Sequence, residues 1–123
     1  MARVLIVDDE PNIRKAVGIL LKSEGFEVDF AGNGEEGLSR MEEAAPDLVL
    51  LDMFMPKLSG RAVCERIRAN PKFKGVKVIF LTVAMFSGKG KSELSGLDIS
   101  DYITKPFENE DLVARVKKAL GMA

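Results

Sequence analysis

The 123-residue chain contains no histidine. That absence excludes Ser-His and Cys-His nucleophile pairs, zinc sites built on imidazole, and any phosphohistidine carried by the chain itself. The single cysteine, Cys64, has no partner for an internal disulfide, and in "RAVCERIR" it reads as a core position on a helix. No apolar run approaches the ~18 residues that a membrane span requires. The start, "MARVLIVDDE", has one arginine and a short apolar run closed by three acids, which is not the pattern of a signal peptide. A net charge of −1 advertises neither a nucleic-acid nor an anionic-membrane partner. The expectation is a cytoplasmic protein with no membrane contact and no direct nucleic-acid contact. Its chemistry must come from carboxylates, hydroxyls, lysines or backbone.

With 46% apolar and 30% charged residues, residues 1–123 have the composition of one ordinary globular domain. Two continuous apolar runs, "VLIV" (Val4 to Val7) and "LVLL" (Leu48 to Leu51), suit strands buried on both faces, and "VKVIFL" (Val76 to Leu81) reads as a third buried strand. "FEVDF" and "DYIT" read as shorter strands. Helical patterns lie between them. After Pro11, residues Ile13, Ala16, Val17, Leu20 and Leu21 recur at helical spacing. "EEGLSRMEEA" closes at Pro46, "GRAVCERIRA" has Ser59 as its cap, and "NEDLVARVKKAL" has Asn109 as its cap. The remaining segment, "SGKGKSELSG", carries three glycines, each costing ~1 kcal/mol against alanine inside a helix. A short or late-starting fourth helix, mobile relative to the other helices, is expected there. Five strands alternating with five helical segments imply an α/β fold, a parallel sheet with helices on both faces.

The ends of the strands carry the chemistry. The first runs into Asp8 and Asp9, the third into Asp52, the fourth into Thr82 and the fifth into Lys105. In open parallel sheets the carboxyl ends of the strands share one edge, and ligands bind in the crevice there. Two unit charges 4 Å apart repel by about 4 kcal/mol at an effective dielectric of 20. Lys105 can balance one of three carboxylates, which leaves a demand for a cation. Oxygen donors without histidine or cysteine suit Mg²⁺. Such an ion beside a lysine and a hydroxyl makes a site for phosphoryl oxygens.

These motifs, "VLIVDDE", "LVLLDMFMPKLSG", "VIFLTVA" and "DYITKPF", make the chain resemble the receiver domain of two-component response regulators over essentially its full length. The resemblance implies a doubly wound, flavodoxin-like five-stranded parallel sheet of order 2-1-3-4-5 with five helices. It also implies that Asp52 is the phosphoacceptor, taking a phosphoryl group from a sensor histidine kinase or phosphotransfer protein. Asp9, Asp52 and the backbone carbonyl of Phe54 would ligate Mg²⁺ directly, and Asp8 through water. Lys105 would pair with the phosphoryl oxygens. Thr82 would hydrogen-bond the phosphoryl group and, with Tyr102, form the switch. The Lys105–Pro106 bond is expected to be cis, as is usual in the family. Phe54 and Ala84 would flank the line of water attack. Output is expected through the face made by the fourth helical segment, the fifth strand and the fifth helical segment, with a phosphorylation-dependent dimer as one outcome. The chain ends soon after Gly121, so a stand-alone regulator is the expectation.

"GNGEEG" (Gly32 to Gly37) matches the glycine fingerprint of a dinucleotide-binding turn. That fingerprint belongs after the first strand, where this chain instead has "DDEPN", whose carboxylates repel a pyrophosphate. A turn-shaping role is the better reading, with Asn33 capping the second helix, Glu36 completing a capping box, and Gly32 and Gly34 easing the turn. "GKGKS" fails as a phosphate loop because Met85 stands where the pattern needs glycine. A haloacid-dehalogenase-type Mg²⁺-dependent phosphatase is the alternative function. Such a phosphatase wants a second Asp two residues after the nucleophile, and Phe54 stands there.

Overall fold

In the computed structural model, described over residues 2–83, 96 and 98–122, the strands are β1 (Arg3–Val7), β2 (Glu27–Ala31), β3 (Leu48–Leu51), β4 (Lys77–Val83) and β5 (Asp101–Lys105). The helices are α1 (Pro11–Ser23), α2 (Gly34–Glu43), α3 (Gly60–Ala69) and α4 (Asn109–Ala119), with a 3-10 turn at Pro71–Phe73. The expected fourth helical segment lies outside the described residues except for Gly96, so four of the five expected helices are seen.

All four strand pairings are parallel, in the order β2-β1-β3-β4-β5. Each of the three central strands is buried on both sides, and its alternate residues divide between two cores. Val4, Ile6, Leu48, Leu50, Ile79 and Leu81 pack with Val17 and Leu21 of α1 and Leu112 and Val116 of α4. Leu5, Val7, Val49, Leu51, Val78 and Phe80 pack with Met41 of α2 and Val63, Cys64 and Ile67 of α3. Continuous apolar runs were therefore the correct signature of these strands. Cys64 is fully buried, and burial pushes its thiol pKa up.

Caps explain the helix starts. Ser59 Oγ accepts from Ala62 N at 3.2 Å, and Asn33 Oδ1 accepts from Glu36 N at 2.8 Å. The return bond of the second cap differs from expectation, because Glu36 Oε1 accepts from Gly32 N, one residue before Asn33. Gly34 also has a different role. It does not sit at positive φ; instead a Cβ there would lie 2.6 Å from Val63 Cγ2, so the glycine lets α2 close on α3. Asn109 is not the cap of the last helix. Glu108 occupies that position with no side-chain hydrogen bond, and Asn109 is the first helical residue.

Candidate functional site

The carboxyl ends of β1, β3, β4 and β5, four consecutive strands of the sheet, each deliver one polar side chain to a common edge. The ladder continues one step past the strands and fixes both acids. Asp8 N donates to Ala31 O at 3.1 Å, and Asp52 N donates to Val7 O at 2.9 Å. Gly60 holds Asp52 from the other side. A Cβ at Gly60 would lie 2.7 Å from Met53 Cα, and Gly60 N donates to Met53 O at 2.9 Å. Only a residue without a side chain lets the start of α3 close on the loop that carries the acid.

Asp8, Asp52 and Thr82 are the polar residues buried among the described residues, at 0, 4 and 0% exposure. Lys105 Nζ reaches in from β5 and lies 2.9 Å from Asp8 Oδ2, 3.4 Å from Glu10 Oε1 and 3.8 Å from Asp52 Oδ2. The contact with Asp8 is a close charge pair without hydrogen-bond alignment. Among the described residues, Asp8 Oδ2 and Thr82 Oγ1 are buried with no hydrogen-bond partner. Such orphaned oxygens are costly in a site that is never filled. The other Asp8 oxygen accepts from Glu10 N at 2.9 Å, and Asp52 Oδ1 accepts from Phe54 N at 3.2 Å.

Burial and the neighbouring Asp8 charge push the Asp52 pKa from 3.8 up to about 7, against the opposing pull of Lys105 and the Phe54 N–H. Contact with the Asp9 carboxyl adds to the rise, which places Asp9 beside Asp52. With a pKa near 7, Asp52 is only partly ionised at neutral pH in the site without a cation. Burial works against the Lys105 ammonium, but contact with Asp8 and the charges of Asp8, Asp52 and Glu10 outweigh it and raise its pKa. The Lys105–Pro106 bond is cis, as expected.

Of the remaining expected residues, Asp9 is exposed and Tyr102 is half-buried against the core cluster on the α2 and α3 side. The Phe54 ring is 56% exposed, beside Asp52 in the chain. Ala84 lies outside the described residues. Two residues were not anticipated. Glu10, the third acid of "DDE", can bring an oxygen within 4.8 Å of oxygens from Asp8 and Asp9, and it touches Lys105. Arg14, one turn into α1, donates from Nη1 to the Asp8 carbonyl at 2.6 Å. The run of three acids was a signal for Glu10; nothing in the sequence marked Arg14.

An all-oxygen donor set around a buried carboxylate fits a hard divalent cation better than a thiophilic one. The family model of the response regulator receiver domain matches residues 4–117. The chain belongs to that family. Its acidic pocket is of the kind at which receiver domains bind Mg²⁺, and membership sets aside the phosphatase alternative.

Among relatives of this receiver, the DNA-binding dual master transcriptional regulator RpaA of Synechocystis sp. is 37% identical over 122 residues, covering 98% of the chain and 49% of RpaA. The DNA-binding response regulator MtrA of Mycolicibacterium smegmatis is 40% identical over 119 residues, covering 96% of the chain and 50% of MtrA. The receiver thus spans about half the length of the curated relatives it matches. Among solved structures, the chemotaxis protein CheY4 of Vibrio cholerae superposes with a TM-score of 0.90 at 30% identity, covering 97% of this chain and 98% of CheY4. The response regulator TrrA of Thermotoga maritima, solved in complex with Mg²⁺-BeF, has a TM-score of 0.83 at 41% identity, covering 97% and 99%. Among the described residues, no helix is long and apolar enough to cross a membrane.

Proposed function

We propose that residues 1–123 act as one receiver domain that accepts a phosphoryl group on Asp52 from a phosphohistidine of a partner kinase or phosphotransfer protein. The observation that carries this reading is the convergence of Asp8, Asp52, Thr82 and Lys105 at the ends of four adjacent strands, with two buried oxygens that have no hydrogen-bond partner among the described residues. That the relative TrrA was solved in complex with Mg²⁺-BeF supports a Mg²⁺-dependent reading. An Asp52 oxygen attacks phosphorus, a P–O bond forms, and the P–N bond breaks with its electron pair returning to the leaving imidazole. The histidine must belong to the partner, since this chain has none.

Asp9, Asp52 and the Phe54 carbonyl would hold Mg²⁺ directly, with Asp8 acting through water. Bound there, the ion supplies positive charge that keeps Asp52 ionised at neutral pH and offsets charge on the transferring group. Lys105 contributes a second positive charge and N–H donors for the phosphoryl oxygens. Thr82 offers its buried hydroxyl to the same oxygens, and its movement frees space for Tyr102 to turn inward. The Phe54 ring limits approach of water to the acyl phosphate. The domain catalyses its own phosphorylation and dephosphorylation inside the cell and signals to a protein target. It contacts no nucleic acid itself, which its net charge of −1 supports.

Incubation with Mg²⁺ and a small phosphodonor tests the reading by intact mass. The wild type should gain one phosphoryl group per chain, and Asp52→Asn should gain none while keeping its fold. Equal labelling of the two would place the acceptor elsewhere.

A further inference from the structure

Glu10 stands at the start of α1 but does not cap it. Its backbone is extended and its carbonyl accepts from Ile13 N and Arg14 N, yet its side chain makes no hydrogen bond to the helix. The Glu10 N–H is held by Asp8 Oδ1 at 2.9 Å, so the residue is anchored over the acidic site. Its carboxylate, with the side chain 58% exposed, reaches across to Lys105, 95 residues away in the chain. Among the described residues Lys105 thus has three carboxylate neighbours, and Asp52 is the most distant of them.

We infer that Glu10 is a positioning residue that holds the Lys105 ammonium toward the β1–α1 turn and away from Asp52 until a phosphoryl group arrives. This inference rests on the proposed phosphoacceptor role of Asp52. An ammonium has three N–H donors and no acceptor. Turning toward a phosphoryl oxygen on Asp52, the most distant of the three, draws the ammonium away from the two nearer carboxylates. Asp8 is closest and fully buried, so losing the cation paired with its carboxylate carries the cost of breaking a buried charge pair. Glu10 is the one of the two held most loosely and most accessible to water, which solvates it on release. Glu10 is accordingly the partner that Lys105 gives up, and the Glu10 contact opposes phosphorylation.

Three variants test this at saturating Mg²⁺: Glu10→Gln, which removes the charge; Glu10→Asp, which keeps the charge but shortens the reach; and Glu35→Gln, a control in the neighbouring turn. Labelling by phosphoramidate should be about two- to fivefold faster in both Glu10 variants, the range of one partly exposed ion pair. The control should match wild type. In protein carrying ¹³C-labelled lysine, the Lys105 ε-methylene resonance of the unphosphorylated state should shift in both Glu10 variants and stay in place in the control. A wild-type rate and an unmoved resonance in Glu10→Asp would overturn the proposal, leaving at most a general charge effect. If the wild type takes no label at all, the reading of Asp52 fails, while the resonance still reports whether Glu10 holds Lys105.

Discussion

Two neighbouring βα turns, "DDEPN" after β1 and "GNGEEG" after β2, place acids and a helix start at the same edge of the sheet and use them in opposite ways. In the second turn the polar groups are consumed locally: Asn33 caps α2, and Glu36 closes back on Gly32. In the first turn α1 starts on Pro11 with no side-chain cap, and Asp8 and Glu10 are engaged with Lys105. Strand order accounts for the difference. β2 is an edge strand, so its turn opens at the margin of the sheet. β1 lies between β2 and β3, so its turn opens beside Asp52. Acids at a helix start become available for long-range work where they forgo capping and the topology gives them distant partners.

Removing Lys105 breaks the comparison most severely, because the first turn then keeps its acids and loses their counter-charge. Lys105→Met leaves Asp8 at 0% exposure beside Asp52 without the ammonium that pairs with both carboxylates. In metal-free protein at pH 8 we expect a loss of about 3 kcal/mol in denaturant unfolding, the scale for breaking a buried pair by deleting one partner. Phosphoryl labelling should also collapse. The stability loss should shrink at pH 5, where the carboxylates can take up protons. An equal loss at both pH values would mean that Lys105 acts through packing and not charge.

The pH dependence of stability sharpens the same contrast. Asp52 has a folded pKa raised from 3.8 to about 7, so its protonated form is favoured in the folded state. Its contribution is fully present below the unfolded pKa and is lost as pH rises through the folded one. Metal-free wild type should therefore lose stability between about pH 4 and pH 7, at roughly 1 kcal/mol per unit where the slope is steepest. Asp52→Asn removes the titrating group and should flatten that slope, while Glu36→Gln in the second turn should leave it unchanged. Unfolding curves at several pH values in chelator provide the measurement. A wild-type slope in Asp52→Asn would assign the titration to another group.

The strands, their order and the strand-end residues were legible in the sequence because each rests on a short-range rule. Buried strands read as "VLIV" and "LVLL", and parallel strands bring their carboxyl ends together. What escaped was set by contacts between distant segments. Gly34 looked like a turn residue, but its size is dictated by Val63 of another helix. Asn109 is a better capping residue than Glu108, yet the chain places Glu108 at the cap. The ionisation of Asp52 depends on burial and on Asp8, 44 residues earlier by their numbers, so no local rule reports it. Glu10 was visible as an acid, but its role depends on Lys105 arriving from β5.

The smallest expected effects come from the pair of single substitutions that compare the turns directly. Asn33→Ala deletes the acceptor of the Glu36 N–H, and loss of such a cap should cost about 1 kcal/mol. Labelling should proceed at the wild-type rate, because the second turn contributes no group to the site. Glu10→Ala should do the reverse. It removes no capping bond, and its contact with Lys105 is partly exposed, worth at most about 1 kcal/mol. Relief of repulsion from Asp8 and Asp9, whose oxygens can approach within 4.8 Å, offsets that loss. Net stability should stay within about 0.5 kcal/mol of wild type while labelling accelerates. Parallel urea unfolding and phosphoramidate labelling of the two variants separate the outcomes. A Glu10→Ala protein destabilised as much as Asn33→Ala, with unchanged labelling, would make both turns structural and remove the distinction between them.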